Sequence, residues 1–328
     1  MRYLILGGAG VFAVHLAKHL LEKNNTEKVI CVGRNKPKSK AFEIDYKNED
    51  KRYVFEQCHI VYEQDILNEL FEKYQPDFVI NFAALAYATS WHKSFRYYDT
   101  NIVAVTKMCE YLSNQKYLKK FLQIGSSEIF GGNNFPVKED QLPDPTSPYA
   151  VSKYAADLHL QTLFNAQKFP MNIIRPSNCY GSRQYMYRII PKALYCGLKN
   201  IKFPLSGDGQ VKKSFLHAKD LAEAIYLILN KAPHGEIYNA GTDLPVSMKE
   251  IIQEVCKYLS VDYNTLVENA PARLQEDSVY WLDSSKIKNE LGWKPEISLK
   301  EGIEETGIWL KEYIDELSKA DFSFTLRA

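Results

Sequence analysis

The sequence predicts an α/β fold in which helices cover both faces of a doubly wound parallel sheet. Three observations lead to this prediction. An apolar segment at residues 4–6 runs into the glycine-rich turn 7–10, and residues with helical spacing follow it. Strand-like and helix-like segments then alternate through the first half, as in chains that form parallel sheets. The 328 residues are enough for one large domain or for a domain with a smaller lobe.

The individual elements follow in chain order. We expect strands at residues 4–6, 28–33, 59–62, 77–81, 120–124 and 172–175. We expect helices at residues 65–73, 100–112, 153–163, 219–229, 248–259 and 298–317. The alternation is less regular in the second half. We therefore place a Rossmann-type domain at residues 1–170 and a smaller α/β lobe at 171–328, from which some segments return to the sheet.

The charge of the chain is almost balanced, with 41 Lys and Arg against 40 Asp and Glu. Such a balance gives no overall field that would attract nucleic acid or a membrane surface. No apolar stretch reaches bilayer length, and the chain enters a strand directly. The six cysteines are scattered and the seven histidines form no ligand-spaced cluster. We expect a cytoplasmic protein with no metal, no nucleic-acid partner and no membrane partner.

The turn after the first strand has the spacing Gly-x-x-Gly-x-x-Ala, formed by Gly7, Gly10 and Ala13. Small residues let backbone N–H groups and a helix N-terminus approach a pyrophosphate, and a strand–turn–helix context is typical of dinucleotide-binding turns. We expect Gly7, Gly10, Val11 and Phe12 to contact such a cofactor. Ala13 stands where a third glycine is usual, so we expect a small adjustment in the packing of the helix.

The residues after the second strand bear on the choice of cofactor. Proteins that bind NAD generally place an acidic residue there, whereas this chain has Gly33-Arg34-Asn35. Arg34 can pair with a 2′-phosphate through two hydrogen bonds and stack on adenine. The sequence therefore favours NADP slightly, although Arg34 beside Asn35 is also compatible with NAD.

Tyr149 and Lys153 have the spacing Tyr-x-x-x-Lys, which places both side chains on one face of a helix, one turn apart. A lysine ammonium stabilises a neighbouring phenolate and lowers the tyrosine pKa from about 10 toward neutrality. A tyrosine with such a pKa can act as a general base. The spacing alone is common, and its place downstream of a nucleotide-binding turn makes a catalytic role the favoured interpretation.

These motifs, with others along nearly the whole chain, resemble those of the extended short-chain dehydrogenases/reductases in the nucleotide-sugar epimerase/dehydratase group. The further segments that carry the resemblance are Asp65-Ile66, Asn81-Phe82-Ala83-Ala84, Tyr97-Tyr98-Asp99-Thr100-Asn101, Ser126-Ser127-Glu128, Asn178-Cys179-Tyr180-Gly181 and Gly207-Asp208-Gly209. The resemblance implies that the lobe at 171–328 binds a nucleotide-diphosphate sugar. It also implies a homodimer formed through the helices at 100–112 and 153–163.

The resemblance implies reversible oxidation of a sugar hydroxyl, usually at C4, by a tightly held NAD or NADP. Tyr149 would accept the hydroxyl proton, Lys153 would hold the phenolate and bond the nicotinamide ribose, and Ser126 would hydrogen-bond the C4 oxygen. Asp65 would bond the adenine amine. The other implied cofactor contacts are Ile66, Ala83, Ala84 and Asn101.

Glu128 bears on which reaction follows the oxidation. Once C4 is a ketone, a carboxylate can remove the C5 proton while hydroxide leaves C6, and Ser127 can assist through a water. We therefore expect a nucleotide-sugar 4,6-dehydratase that serves surface-glycan synthesis. Nucleotide-sugar decarboxylases also carry a Ser-Glu pair, so Glu128 alone does not establish dehydration. A 4-epimerase or a 4-dehydrogenase, which uses the same C4 oxidation without dehydration, therefore stays open. A catalytically inactive NAD(P)-binding regulator is a more remote alternative.

Substrate contacts are implied for residues in both halves of the chain. These residues are Tyr87, Thr89, Ser90, Asn178, Arg183, Lys213, Arg273 and Glu276. The sequence does not specify the nucleotide base or the sugar.

Overall fold

The structure is a computed structural model that describes residues 1–37, 39–43, 50–86, 93–271 and 279–322. Its strands are β1 (Arg2–Leu6), β2 (Lys28–Gly33), β3 (Tyr53–Gln57), β4 (Phe78–Asn81), β5 (Lys120–Ile124), β6 (Met171–Pro176), β7 (Asn178–Tyr180), β8 (Phe203–Ser206), β9 (Lys212–Lys213), β10 (Phe215–His217), β11 (Ile237–Ala240), β12 (Val246–Ser247), β13 (Val267–Ala270) and β14 (Val279–Tyr280). Seven of them form one parallel sheet in the order β3-β2-β1-β4-β5-β6-β11. This sheet confirms the predicted α/β fold.

The helices are α1 (Val11–Leu21), α2 (Gln64–Tyr74), α3 (Phe95–Tyr98), α4 (Ala104–Leu112), α5 (Pro148–Gln167), α6 (Ile189–Leu198), α7 (Ala218–Lys231), α8 (Met248–Leu259), α9 (Tyr263–Leu266), α10 (Ser285–Leu291), α11 (Leu299–Glu312) and α12 (Ile314–Leu317). A π-helical segment, Asp99–Val103, joins α3 to α4. Two 3₁₀ turns lie at Lys40–Phe42 and Ser127–Phe130. None of the helices that the structure describes is long and apolar enough to cross a bilayer.

The alternating side chains of β1 explain why both faces of the sheet are covered. Tyr3 and Ile5 pack into the core formed with α1, α7 and α10, whereas Leu4 and Leu6 pack into the core formed with α2, α4 and α5. All four are fully buried. A strand buried on both faces is continuously apolar, which is why the short run after Arg2 predicts a central parallel strand.

Much of the second half builds a separate core around α6, α8 and α11. The short sheets β8–β13 and β12–β9–β14 belong to this half, while β6, β11 and α7 complete the large sheet and its cover. The division of the chain near residue 170 stays a prediction.

The expected strand at residues 59–62 is wrong. The third strand is Tyr53–Gln57, which pairs with β2 in the register Cys31↔Phe55. The amides of Tyr62 and Glu63 bond to the carbonyl of His59 and close a turn that leads into α2. β3 lies at the edge of the sheet and is only half-buried, so its apolar pattern is weaker than that of the turn that follows it.

Candidate active site

The ends of β1, β4, β5 and β6 bring the expected site residues to one edge of the sheet. Parallel strands have all their carboxyl ends at the same edge, and ligands bind there where the strand order reverses, here between β1 and β4. Gly7 follows β1, Ala83 follows β4, and Ser126 follows β5. The predicted cofactor and catalytic segments therefore converge although they are far apart in the sequence.

The turn after β1 fits the pyrophosphate of a dinucleotide. Gly7 has a φ of +75°, and a Cβ at this position would lie 2.8 Å from the backbone nitrogen of Ala83. The amide of Gly10 bonds to the carbonyl of Gly7 at 2.8 Å, and α1 begins at Val11. Within the described part of the chain no side chain caps α1, so its first N–H groups can bind an anion.

The end of β3 corrects the predicted position of one cofactor-binding candidate, Asp65, whose contact with a cofactor stays a prediction. Asp65 and Ile66 lie exposed in the first turns of α2, and the residues directly after β3 are instead Cys58, His59 and Ile60. The expectation that Asp65 follows the third strand is therefore wrong. His59 takes that place, and the signal that could identify it is its position two residues after the short segment Tyr53–Gln57.

Basic groups gather at this end of the sheet. Burial lowers the pKa of His59, and the nearby charges of Arg34 and Arg96 lower it further. Gln57 Nε2 bonds to the carbonyl of Arg34 at 3.0 Å, which ties the end of β3 to the residue after β2. Arg34 and Arg96 therefore both act electrostatically on the residue that follows the end of β3.

The sequence around Tyr149 and Lys153 explains how α5 presents them. Ser147 caps the helix by accepting the amide of Ala150 at 3.1 Å, and Pro148 occupies the first helical position, where its lack of an N–H is harmless. Tyr149 is therefore in the first turn, 8% exposed, and Lys153 is one turn later, 3% exposed. Lys153 Nζ donates to the carbonyl of Ile124, the last residue of β5.

The turn after β5 places Ser126 and Glu128 beside this tyrosine. Ser126 Oγ accepts the amide of Glu128 at 3.2 Å and also hydrogen-bonds Tyr149. Ser127, Glu128 and Phe130 form the 3₁₀ turn itself. The apolar residues of this turn pack against Val137 and Leu282. The turn is thus anchored by an apolar cluster with residues from two later segments of the chain.

The protein alone does not lower the pKa of Tyr149, contrary to our expectation. Burial raises this pKa, and the carboxylate of Glu128 raises it further, while the hydrogen bond from Ser126 and the charge of Arg188 act in the other direction. Lys153 itself has its pKa lowered to about 8 by burial. Desolvation therefore sets the direction of the pKa shift in both groups.

Asn101 connects the wall of this site to the catalytic helix. It lies in the π-helical segment, where Oδ1 accepts the amide of Leu85 at 2.9 Å and Nδ2 donates to Ser152 Oγ at 2.8 Å. Ser152 in turn bonds the carbonyl of Tyr149 at 2.7 Å. Ala83 is held by Asn81 at 3.1 Å, and Ala84 follows it. Asn101 therefore ties the backbone of Leu85 to α5, and its contact with a cofactor stays a prediction.

The predicted substrate residues are placed unevenly. Asn178 opens β7 beside the carboxyl edge, and Lys213 Nζ lies 5.3 Å from the ring centroid of Tyr280. Arg183 donates Nε to the carbonyl of Glu43 at 2.7 Å, so it is engaged with the segment after β2. Five further candidates lie outside the described residues, namely Tyr87, Thr89, Ser90, Arg273 and Glu276. Among the described residues no cluster of His, Cys, Asp and Glu could hold a metal ion.

The sheet and the paired Tyr149 and Lys153 define the class as a short-chain dehydrogenase/reductase of the extended type. The sequence profile of the family described as GDP-mannose 4,6 dehydratase matches residues 4–306. The chain belongs to this family of nucleotide-sugar dehydratases and epimerases.

Relatives and solved structures of both reaction types resemble the chain. The dTDP-D-glucose 4,6-dehydratase of Homo sapiens is 30% identical over 318 residues, covering 95% of this chain and 90% of that protein. The structure of a dTDP-glucose 4,6-dehydratase from Streptomyces venezuelae with NAD bound has a TM-score of 0.88 at 25% identity and covers 96% of this chain and 98% of its own. That of a UDP-glucuronic acid 4-epimerase from Bacillus cereus, also with NAD, has a TM-score of 0.86 at 26% identity and covers 95% and 99%.

Proposed function

We propose that the protein is a nucleotide-sugar 4,6-dehydratase that uses a bound NAD(P). The observation that carries this proposal is the position of Glu128, whose carboxylate lies on the turn after β5 and acts electrostatically on Tyr149. An elimination needs a second base, here a carboxylate, beside the tyrosine that accepts the C4 hydroxyl proton. The close relatives named as dTDP-glucose 4,6-dehydratases support the same reaction.

The residues act in a fixed order in this proposal. Ser126 and Tyr149 hold the C4 hydroxyl, and Tyr149 takes its proton while Lys153 keeps a positive charge nearby. The bound nicotinamide supplies a hydride acceptor for C4 and later a hydride donor for C6. Glu128 removes the C5 proton, the C6 hydroxyl leaves as water after protonation with help from Ser127, and C5 regains a proton. The sugar loses one water overall.

A 4-epimerase or a 4-dehydrogenase is the alternative, because an epimerase structure resembles the chain almost as well as a dehydratase structure. The two alternatives require no base at Glu128. A catalytically inactive regulator is disfavoured because Ser126, Tyr149 and Lys153 are assembled together.

Mass spectrometry of the protein incubated with dTDP-, UDP- and GDP-hexoses separates these reactions. Loss of the mass of one water supports dehydration. An unchanged mass with a new sugar isomer supports epimerisation, and loss of two hydrogens supports oxidation. Either of the last two results with every sugar tested would reject the proposed function.

We infer a preference for NADP over NAD from the basic groups at the end of β2 and β3. Arg34 and Arg96 both act on His59, and a 2′-phosphate would be attracted by their charges. Calorimetric titration with NADP and NAD tests this preference. Arg34→Ala should weaken binding of NADP more than that of NAD, and equal losses for both cofactors would remove the inference.

We propose that Asn178 and Lys213, both in the second half of the chain, bind the nucleotide-diphosphate sugar substrate. The five candidates outside the described residues stay predictions, and Arg183 is more suited to holding the segment after β2. A cytoplasmic location and a role in surface-glycan synthesis also stay predictions.

A homodimer through α4 and α5 is proposed because α3, the π-helical segment that leads into α4, and α5 leave apolar side chains exposed. Phe95 is 60% exposed, Val103 44%, Val151 41% and Leu158 45%. Two such surfaces can pair as a four-helix bundle. Light scattering should give twice the mass of the chain, and Leu158→Glu should reduce it to one chain. A monomer for the unaltered protein at micromolar concentration would contradict the proposal.

A further inference from the structure

Helix α5 carries a buried carboxylate, one turn after Lys153, that the proposed reaction does not use. Asp157 is 0% exposed, and its Oδ2 accepts Nε of Arg175 at 2.9 Å. Oδ1 has no hydrogen-bond partner among the residues that the structure describes. Taking a carboxylate and a guanidinium out of water is costly, so a buried pair contributes little to stability and points to another role.

Arg175 connects this carboxylate to the turn that carries Glu128. Its guanidinium lies 5.3 Å from the ring centroid of Phe130, the last residue of the turn. A Cβ on Gly125 would lie only 2.8 Å from Arg175 Cγ, so the arginine fills the space directly behind the end of β5. The ion pair therefore joins α5 to the segment that presents Ser126 and Glu128.

Lys153 and Asp157 are four residues apart and share one face of α5. Burial lowers the pKa of Lys153, and Asp157 is the group that raises it. Burial raises the pKa of Asp157, and Arg175 and Lys153 lower it. One carboxylate thus serves two buried cations.

Other charged groups face this cluster from the neighbouring elements. Glu128 from the 3₁₀ turn and Arg188 from the start of α6 act on Tyr149. Glu139 accepts Arg175 Nη1 with its backbone carbonyl and the amide of Asn239 with its carboxylate. These carboxylates are engaged elsewhere or act on the tyrosine, which leaves Asp157 as the counter-charge of Lys153.

We propose that Asp157 is a positioning residue that keeps the Lys153 ammonium charged and, through Arg175, holds α5 against the turn of Ser126 and Glu128. The catalytic role of Lys153 rests on the proposed function, whereas the titration of Lys153 can be measured without the reaction.

Nuclear magnetic resonance of protein labelled with ¹³C at lysine Cε follows the titration of Lys153, whose signal is assigned by its loss in Lys153→Met. In Asp157→Asn the midpoint should fall by about 1–3 pH units, the effect of a neighbouring opposite charge. Asp157→Glu should stay close to the unaltered protein. Leu160→Ala, which empties a buried position on the same helix, should leave the midpoint unchanged. An unchanged midpoint in Asp157→Asn overturns the proposal.

A second variant covers the case in which Asp157→Asn does not fold. Asp157→Asn with Arg175→Met removes both members of the pair, a change that buried ion pairs often tolerate. This protein should fold, titrate Lys153 at a lower pH and lose activity at a lower pH on the alkaline side. A titration and a pH profile like those of the unaltered protein would overturn the proposal. If the unaltered protein transforms no nucleotide sugar, the proposed function fails while the titration still decides the role of Asp157.

Discussion

Strand β5 has a buried lysine at each end, and the two lysines differ in their surroundings rather than in their burial. Lys120 at the amino end and Lys153, which reaches the carboxyl end from α5, are each 3% exposed. Burial lowers the pKa of each to about 8. By solvent exposure and by pKa the two lysines are alike.

The neighbours of the two lysines assign them different roles. Lys120 Nζ donates to the carbonyls of Ile228 at 2.8 Å and Ala232 at 2.7 Å, which are buried backbone acceptors at the end of α7. Lys153 lies beside Asp157 and one turn from Tyr149. A perturbed pKa marks a functional site only together with its location, here the carboxyl edge of the sheet.

The largest effect is expected from Tyr149→Phe at the carboxyl end. General base catalysis is worth about 10²–10⁴-fold, so turnover should fall by that factor. Cofactor binding, measured by calorimetry, should persist because the ring remains. A variant that retains more than about a tenth of the activity would contradict the assignment of Tyr149 as the base.

Glu128→Gln should separate elimination from oxidation. The amide keeps the shape of the side chain and removes the base, while Ser126 and Tyr149 remain. Oxidation of C4 should proceed, and the absorbance of the reduced nicotinamide should accumulate on the protein without release of dehydrated sugar. Glu139→Gln is the matched control, since this carboxylate accepts the amide of Asn239 and should affect only folding. Full-rate product formation by Glu128→Gln would favour the epimerase or 4-dehydrogenase alternative.

Lys153→Met and Lys120→Met compare the two ends directly. Lys153→Met should lose most turnover, because the phenolate loses its neighbouring cation. Lys120→Met should keep its turnover per folded molecule and lose about 1–3 kcal/mol of unfolding free energy, since buried carbonyls lose their donor. Denaturant titration and initial rates measure both quantities. Comparable loss of turnover in the two variants would contradict the assignment of the active site to the carboxyl edge of the sheet.

The sequence predicted the parts of this site that depend on local pattern. Residue type and period reveal the glycine turn, the individual strands and helices, and the Tyr149–Lys153 spacing, because each of these is contained within a short segment. Their convergence follows from the common direction of parallel strands.

What the sequence did not predict depends on contacts between distant segments. β3 is a half-buried edge strand, so its pattern was weaker than that of the turn after it, and His59 was missed with it. Asp157 and Arg175 lie on different elements, and nothing local marks them as partners. The raised pKa of Tyr149 depends on the burial that the whole fold creates.

The smallest expected effect is a pH dependence of stability that both lysines share. The folded pKa of Lys120 is about 8, below its ordinary value of 10.5, so between these values the unfolded chain holds a proton that the folded protein lacks. The unfolding free energy contributed by this lysine must therefore rise with pH in that window.

The unfolding free energy of the unaltered protein should consequently rise relative to that of Lys120→Met between pH 8 and pH 10, by at most about 1.4 kcal/mol per pH unit. The comparison of the two proteins removes the contribution of the buried cysteines, which both contain. The raised pKa values of these cysteines make stability fall with pH. Lys119→Met is the control, because the Lys119 side chain is 54% exposed and pairs with Asp77. Lys153→Met should change the unfolding free energy in the same direction, since burial lowers the pKa of both lysines, although the loss of Lys153 also removes a cation beside Asp157. A pH-independent difference for Lys120 would mean that this lysine stays charged in the folded protein, and the two ends would then differ in charge as well as in function.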